Sequence, residues 1–260
     1  AGVSCDGLAW LASLLLLLCL PTRAFTLNAT STPPGALRAA IVDLDGTLVD
    51  TLGDFVEALN RTLGELRLPP LGRGQVERMI GKGSENLLLS AMAHLGEPDP
   101  AARLPEAWAA YQRHYVDVNG RFSQVFPGAL AGLQALRDAG LPLACQTNKP
   151  LAFARTLLRD KGLDGFFSHV FGGDSFERKK PDPLPLLKTC EALGTAPAHT
   201  LMVGDSQNDG LAARAAGCPV VLVTYGYNHG DPIAEAPNDA LVDSLAQLAQ
   251  WPGFRGACRA

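Results

Sequence analysis

Asp43 and Asp45 are the residues of this chain whose type and spacing speak most directly of chemistry. They close the run Ala40-Ile41-Val42-Asp43-Leu44-Asp45-Gly46-Thr47, whose apolar start has the pattern of a strand buried on both faces. Side chains two apart in a strand point to the same side, so both carboxylates are expected to face one point beyond the strand's end. Gly46-Thr47 stops the strand there. Like charges that close resist joint ionisation unless a cation is shared between them. Paired acids ending a buried strand therefore mark a site.

Three further stations follow. Gln146-Thr147-Asn148-Lys149-Pro150 comes directly after an apolar run. A hydroxyl and the backbone N–H groups that open the next helix would cradle a phosphate, although a plain N-cap Thr is the commoner reading of these residues alone. Lys179-Lys180-Pro181-Asp182-Pro183 offers an ammonium group, in a context that is also common on surfaces. Val203-Gly204-Asp205-Ser206-Gln207-Asn208-Asp209 is a second apolar run ending in acids. Carboxylates without His or Cys suit a hard cation such as magnesium, which takes near-octahedral oxygen ligands.

The elements that must position these stations follow from periodicity. Leu52, Phe55, Val56, Leu59 and Leu63 form one apolar stripe of a helix, with Asp50 or Thr51 as its N-cap. Further helices are expected over 75–80, 85–95 and 101–118, the last carrying Leu104, Trp108, Tyr111 and Tyr115 on one side. Residues 52–125 thus read as wholly helical. From Val125-Phe126-Pro127-Gly128 onward, helices and short buried strands alternate. Strands are expected over 141–146, His169–Phe171, 200–203 and Val220–Val223, with helices between them and a last helix near Leu245–Gln250. Such alternation argues a parallel sheet with right-handed crossovers, whose sites gather at the carboxyl ends of the strands. The stations stand at those ends.

Composition narrows the function classes. Hydrophobic residues make up 47% and charged residues 18% of the 260, enough for one ordinary domain or a core with a smaller one inserted. The formal charge is −4 and no Lys/Arg run suits a nucleic-acid backbone. An anionic substrate must then be held by a few placed cations. The six cysteines are scattered, without a Cys-x-x-Cys pair, which fits neither a disulfide framework nor a zinc site and suits a reducing, cytoplasmic setting. Residues 8–20 are almost wholly apolar but short of the roughly 20 that cross a bilayer, and no Lys or Arg precedes them. A start that adds no fold, an export or membrane-associating segment, and a helix packed on the core all stay open. Asn28 to Gly35 reads as a linker.

Taken in order, the four stations resemble the four motifs of the haloacid dehalogenase superfamily: Asp-x-Asp-Gly-Thr, a Thr after a strand, a Lys before Pro-x-Pro, and Gly-Asp-Ser-x-x-Asp. The resemblance implies an α/β fold, a Rossmann-like parallel sheet core over 37–51 and 126–250 with an α-helical cap inserted over 52–125. Residues 1–36 and 251–260 then flank the catalytic unit. It implies Asp43 as nucleophile, Asp45 as general acid/base, and Thr147 and Lys180 as holders of the phosphoryl group. Gly46 and Asn148 would meet the substrate. Mg²⁺ would be held by the side chains of Asp43 and Asp205 and the carbonyl of Asp45, with Asp209 orienting Lys180 or a metal-bound water. Thr147-Asn148-Lys149-Pro150, Lys179-Lys180-Pro181-Asp182-Pro183 and the loop Ile80-Gly81-Lys82-Gly83-Ser84 together look most like bacterial phosphoglycolate phosphatases. The implied substrate is a small phosphorylated metabolite, 2-phosphoglycolate, with Lys82 either on its carboxylate or merely solvated. A phosphatase of another small phosphoester, a nucleotide or pyrophosphate, a sugar-phosphate mutase, and a phosphate-binding regulator without turnover are the alternatives. A monomer or homodimer is expected, with membrane contact only if the N-terminal segment supplies it.

Overall fold

The computed structural model describes residues 26–27 and 37–250; the apolar run 8–20, the linker 28–35 and the tail 251–260 lie outside that range. Its centre is β2 (Ala39–Val42), every residue of which is buried. Ala40 and Val42 pack on one face of the sheet and Ile41 on the other, so the apolar run serves two layers at once. Parallel partners flank it, β5 (Leu143–Gln146) on one side and β7 (Thr200–Gly204) on the other. Outward from β5 lies β6 (His169–Phe171), and outward from β7 lie β8 (Val220–Val223) and β9 (Ala240–Val242).

Helices cover both faces. α5 (Ala129–Asp138), α6 (Leu151–Asp160) and a 3₁₀ helix over Leu245–Gln250 bury Leu133, Leu157 and Leu248 against one face. α7 (Leu184–Leu193) and α8 (Gln207–Ala216) bury Leu186 and Ala212 against the other. The chain runs from β2 to β5 on one side and later returns to β7 on the other. Such a reversal of direction opens a crevice at the carboxyl ends of the neighbouring strands. Asp43, Thr147 and Asp205 follow those three adjacent strands.

Between β2 and β5 the chain builds a second cluster from α1 (Leu52–Glu65), α2 (Arg73–Glu77), α3 (Ser84–His94) and α4 (Pro100–Val118). Its core holds Leu59, Leu63, Leu88, Met92, Tyr111 and Tyr115, all essentially inaccessible. The chain leaves and returns through a two-stranded antiparallel ribbon, β3 (Val49–Asp50) with β4 (Gln124–Val125). Buried Asp54 accepts hydrogen bonds from the N–H groups of Gly120 and Phe122 (2.8 and 2.7 Å), tying the outgoing and returning segments together.

The structure differs from the sequence expectations at several edges. Residues 124–125 are strand, because pairing with β3 satisfies backbone groups that helical periodicity does not report. The helix expected near Leu245–Gln250 is present and is of the 3₁₀ type. β9 was not expected, and Thr26–Leu27, placed by the sequence outside the fold, adds to it as an antiparallel edge strand, β1. An open sheet edge offers unpaired backbone groups, and a short segment suffices to cover it. At the start of α1, Thr51 makes no capping bond and Asp50 accepts from the Leu52 N–H at 3.2 Å. Among the described residues no helix is long and apolar enough to cross a membrane.

Candidate active site

A cavity lies between the strand ends and the helical cluster, lined by Asp43, Asp45, Thr147, Asn148, Lys180, Asp205 and Asp209 from the sheet side. Phe55, Ile80 and Leu87 close it from the helical side. Residues from all four stations therefore meet in one place.

Asp43 follows β2 directly, and its N–H donates to the Val203 carbonyl at 2.9 Å, which locks it to β7. Its Oδ1 lies 3.1 Å from Lys180 Nζ yet has no aligned hydrogen-bond partner. Burial pushes the carboxyl up to about 7 against the opposing pull of Lys180. Lys180 is itself buried, donating to Asp209 Oδ1 at 2.6 Å and to the Gln146 carbonyl at 3.1 Å. Burial alone would lower its pKa, but the Asp209 and Asp43 carboxylates outweigh that and hold the ammonium charged.

Asp205 accepts from Thr47 Oγ1 at 2.9 Å and from the Tyr227 N–H at 2.6 Å. Burial first, then the neighbouring Asp209 and Asp43 charges, raise its pKa well above the usual carboxylate range. Asp209 sits one turn into α8, where its Oδ2 accepts from the Ser206 hydroxyl and N–H, closing a capping box. Oxygens of Asp43, Asp205 and Asp209 lie within 4.8 Å of one another, so this trio could hold a metal ion. The donor set is all hard oxygen, and Oδ1 of Asp43 receives no aligned hydrogen bond. Four buried or half-buried carboxylates, counting Asp45, also face only two ammonium groups. A divalent cation fits that excess of negative charge. Asp209 is the least available of the three, because Lys180, Ser206 and the Asp205 N–H already occupy its oxygens.

Asp43 and Asp45 both line the cavity but pair with different cations, Lys180 and Lys149. β2 ends at Val42, so the alternation expected of a strand has already lapsed, and Gly46 (φ +84°) turns the chain. Asp45 instead pairs with Lys149, whose Nζ lies 3.0 Å from Oδ1 and 3.3 Å from Oδ2. Gly46 does not line the cavity. A Cβ there would fall 2.2 Å from Asp205 Oδ2, so the position needs glycine for both conformation and space. Thr147 lines the cavity, its Oγ1 accepting from the Lys149 N–H at 3.2 Å. Asn148 acts as a strap: its Nδ2 donates to the carbonyls of Gly81 (3.1 Å) and Lys180 (2.9 Å), and its Oδ1 accepts from the Lys180 N–H. Lys82 is exposed and does not line the cavity; with burial, its charge depresses the pKa of neighbouring His229.

Sequence reasoning left Lys149 without a role. Its signal was available: a cation directly before Pro150, the N-cap of α6, opposes the helix dipole and calls for an anionic partner. Thr47 on Asp205 was likewise overlooked, since nothing local tells a strand-stopping Thr from one reaching another strand's acid.

Residues 40–223 match the family model described as haloacid dehalogenase-like hydrolase. A phosphoglycolate phosphatase of Thiobacillus denitrificans is 44% identical, over 83% of this chain and 96% of its own length. A plasmid-encoded phosphoglycolate phosphatase of Cupriavidus necator is 47% identical over 81% of this chain and 90% of its own. Among solved structures, a predicted phosphoglycolate phosphatase from Haemophilus somnus superposes with a TM-score of 0.79 at 33% identity, covering 83% of this chain and 97% of that one.

Proposed function

The chain belongs to the haloacid dehalogenase-like hydrolases, and we propose that it is a magnesium-dependent phosphatase converting 2-phosphoglycolate to glycolate and inorganic phosphate. The observation that carries the chemistry is Asp43, a strand-end carboxylate with one oxygen free of aligned hydrogen bonds beside a buried ammonium. Likeness to the Thiobacillus and Cupriavidus phosphoglycolate phosphatases supports the substrate.

In this reading Asp43 attacks phosphorus in line. The bond to glycolate breaks as the bond to Asp43 forms, leaving an aspartyl-phosphate. Asp45 gives its proton to the departing alkoxide, then takes one from the water that cleaves the aspartyl-phosphate, so both carboxyls return to their starting state. The Thr147 hydroxyl, the Asn148 N–H and Lys180 hold the phosphoryl oxygens. Lys180, kept charged by Asp209, supplies positive charge where negative charge spreads. The side chains of Asp43 and Asp205 and the carbonyl of Asp45 would hold Mg²⁺, with Asp209 behind them on Lys180. Bound there, the ion would offset phosphoryl charge. The helical cluster over residues 52–125 serves as the cap that keeps water out of the cavity.

Phosphate release is measured from 2-phosphoglycolate, ethyl phosphate, a sugar phosphate, a nucleotide and pyrophosphate, with Mg²⁺ or with EDTA. The expected result is a kcat/KM for 2-phosphoglycolate well above the rest, lost in EDTA and reduced roughly 10³-fold or more in Asp43→Asn. A flat profile would discard the substrate, and unaltered turnover in Asp43→Asn would discard the mechanism.

A further inference from the structure

Two cations line the cavity, and they are held differently. Lys180 stands among Asp43, Asp209 and the Gln146 carbonyl, which fixes it at the phosphoryl end. Lys149 lies on the other side, under the helical cluster. Its ammonium is buried, donates to the Asp45 carboxylate and to Tyr115 Oη, and sits 4.6 Å from the Phe55 ring centroid and 4.7 Å from that of Tyr115. Taking an ammonium out of water is costly unless anions and aromatic faces replace its hydration. Asp45 has one charge to offer and lines the cavity beside Lys149. Both Asp45 oxygens and Tyr115 Oη take the ammonium's three donors, the Oδ2 contact being the longest at 3.3 Å, so a second anion entering the cavity would take over that donor.

Resting on the phosphoglycolate reading, we infer that Lys149 is the residue that recognises the substrate's carboxylate and so sets specificity for carboxylate-bearing phosphoesters. The distances suit that task. Asp45 approaches the ester oxygen, and the carboxyl carbon of 2-phosphoglycolate lies two bonds, roughly 2.5 Å, from that oxygen. An ammonium 3.0 Å from Asp45 Oδ1 therefore meets the carboxylate while the phosphoryl group stays at Asp43 and Lys180. Lys82, exposed and outside the cavity, has no such position. Phe55 and Tyr115 come from α1 and α4, so the helical cluster aims a cation that the sheet's own loop supplies.

The test compares kcat/KM for 2-phosphoglycolate with that for ethyl phosphate, which keeps the two-carbon ester and lacks the carboxylate. Wild-type protein is expected to favour 2-phosphoglycolate by roughly 10²-fold or more. In Lys149→Met that ratio should fall to within about tenfold of unity, mostly through loss on 2-phosphoglycolate, while Lys149→Arg, which keeps the charge, retains part of it. Residual turnover of ethyl phosphate serves as the control for folding. If Lys149→Met turns over neither ester, Lys149→Gln, which keeps an N–H toward Asp45 but no charge, is read in the same way. Equal losses on both esters would assign Lys149 to positioning Asp45 alone and overturn the inference while leaving the phosphoglycolate reading intact. A wild-type ratio near unity would overturn that reading itself.

Discussion

A buried carboxylate that finds too little positive charge tends to keep its proton, and two of the acids in this cavity are in that condition. Asp43 is raised from 3.8 to about 7 and Asp205 also lies well above its ordinary value, both mainly through burial. The unfolded chain would release these protons at lower pH than the folded one. The stability they contribute is therefore present below their unfolded values and lost as pH rises toward 7. In EDTA the melting temperature is expected to fall by several degrees between pH 4 and pH 7, and Mg²⁺ should raise it more at pH 7.5 than at pH 5. Thermal melts at each pH would show it; a pH-independent melt in EDTA would contradict the burial account. Gly46 belongs to the same scale. Gly46→Ala adds a strained φ and drives a methyl group against Asp205, so an apparent Mg²⁺ affinity reduced at least tenfold and a stability loss of about 1–2 kcal/mol are expected. Mg²⁺ titration of activity together with urea unfolding would measure both.

At the scale of elements, the question is how a four-helix insertion is held to a sheet through a two-stranded ribbon only two residues long on each side. Much of the answer is Asp54. It is wholly buried within α1 and spends both carboxylate oxygens on the N–H groups of Gly120 and Phe122. Lys161, just past α6, donates to the carbonyls of Gly120 and Ser123 at 2.8 and 2.6 Å and fixes the same segment from the sheet side. Asp54→Ala leaves two part-buried donors unmatched and should cost about 1–3 kcal/mol, seen as a lower urea midpoint. Lys161→Met removes a bond set that is half open to water and should cost less. A larger loss for Lys161→Met than for Asp54→Ala would reverse this assignment of which contact dominates.

At the scale of the molecule, the cavity exists only because the helical cluster and the sheet meet over it. Asn148 and Asn208 both donate to the carbonyl of Gly81, at 3.1 and 3.2 Å, so one loop of the cluster is held by the loop after β5 and by the first turn of α8. Tyr227, from the loop after β8, donates to Asp50 and accepts from the Leu52 N–H at 3.1 Å, pinning the start of α1. Asn208→Ala should loosen the seating of the loop without touching the phosphoryl contacts, raising KM for 2-phosphoglycolate about threefold to tenfold with a smaller change in kcat. A change confined to kcat, read from steady-state kinetics, would place Asn208 closer to the chemistry than this reading does.

The sequence by itself determined the alternating α/β order, the two apolar layers served by β2 and the placing of Asp43, Thr147, Lys180 and Asp205 just past strands or turns. These follow from local periodicity and from what can end a buried strand. Tertiary structure alone decided the partners: Asp45 with Lys149 and Asp43 with Lys180, Thr47 with Asp205, Lys82 outside the cavity and Lys149 inside it. It also decided β9, its two-residue edge partner and the β3–β4 ribbon. A side chain's partner depends on which strands become neighbours and which helices cross above them. Those neighbours come from residues 104 and 158 positions apart, in the Asp45–Lys149 and Thr47–Asp205 pairs, and burial against them is a property of the packed whole rather than of any stretch of chain.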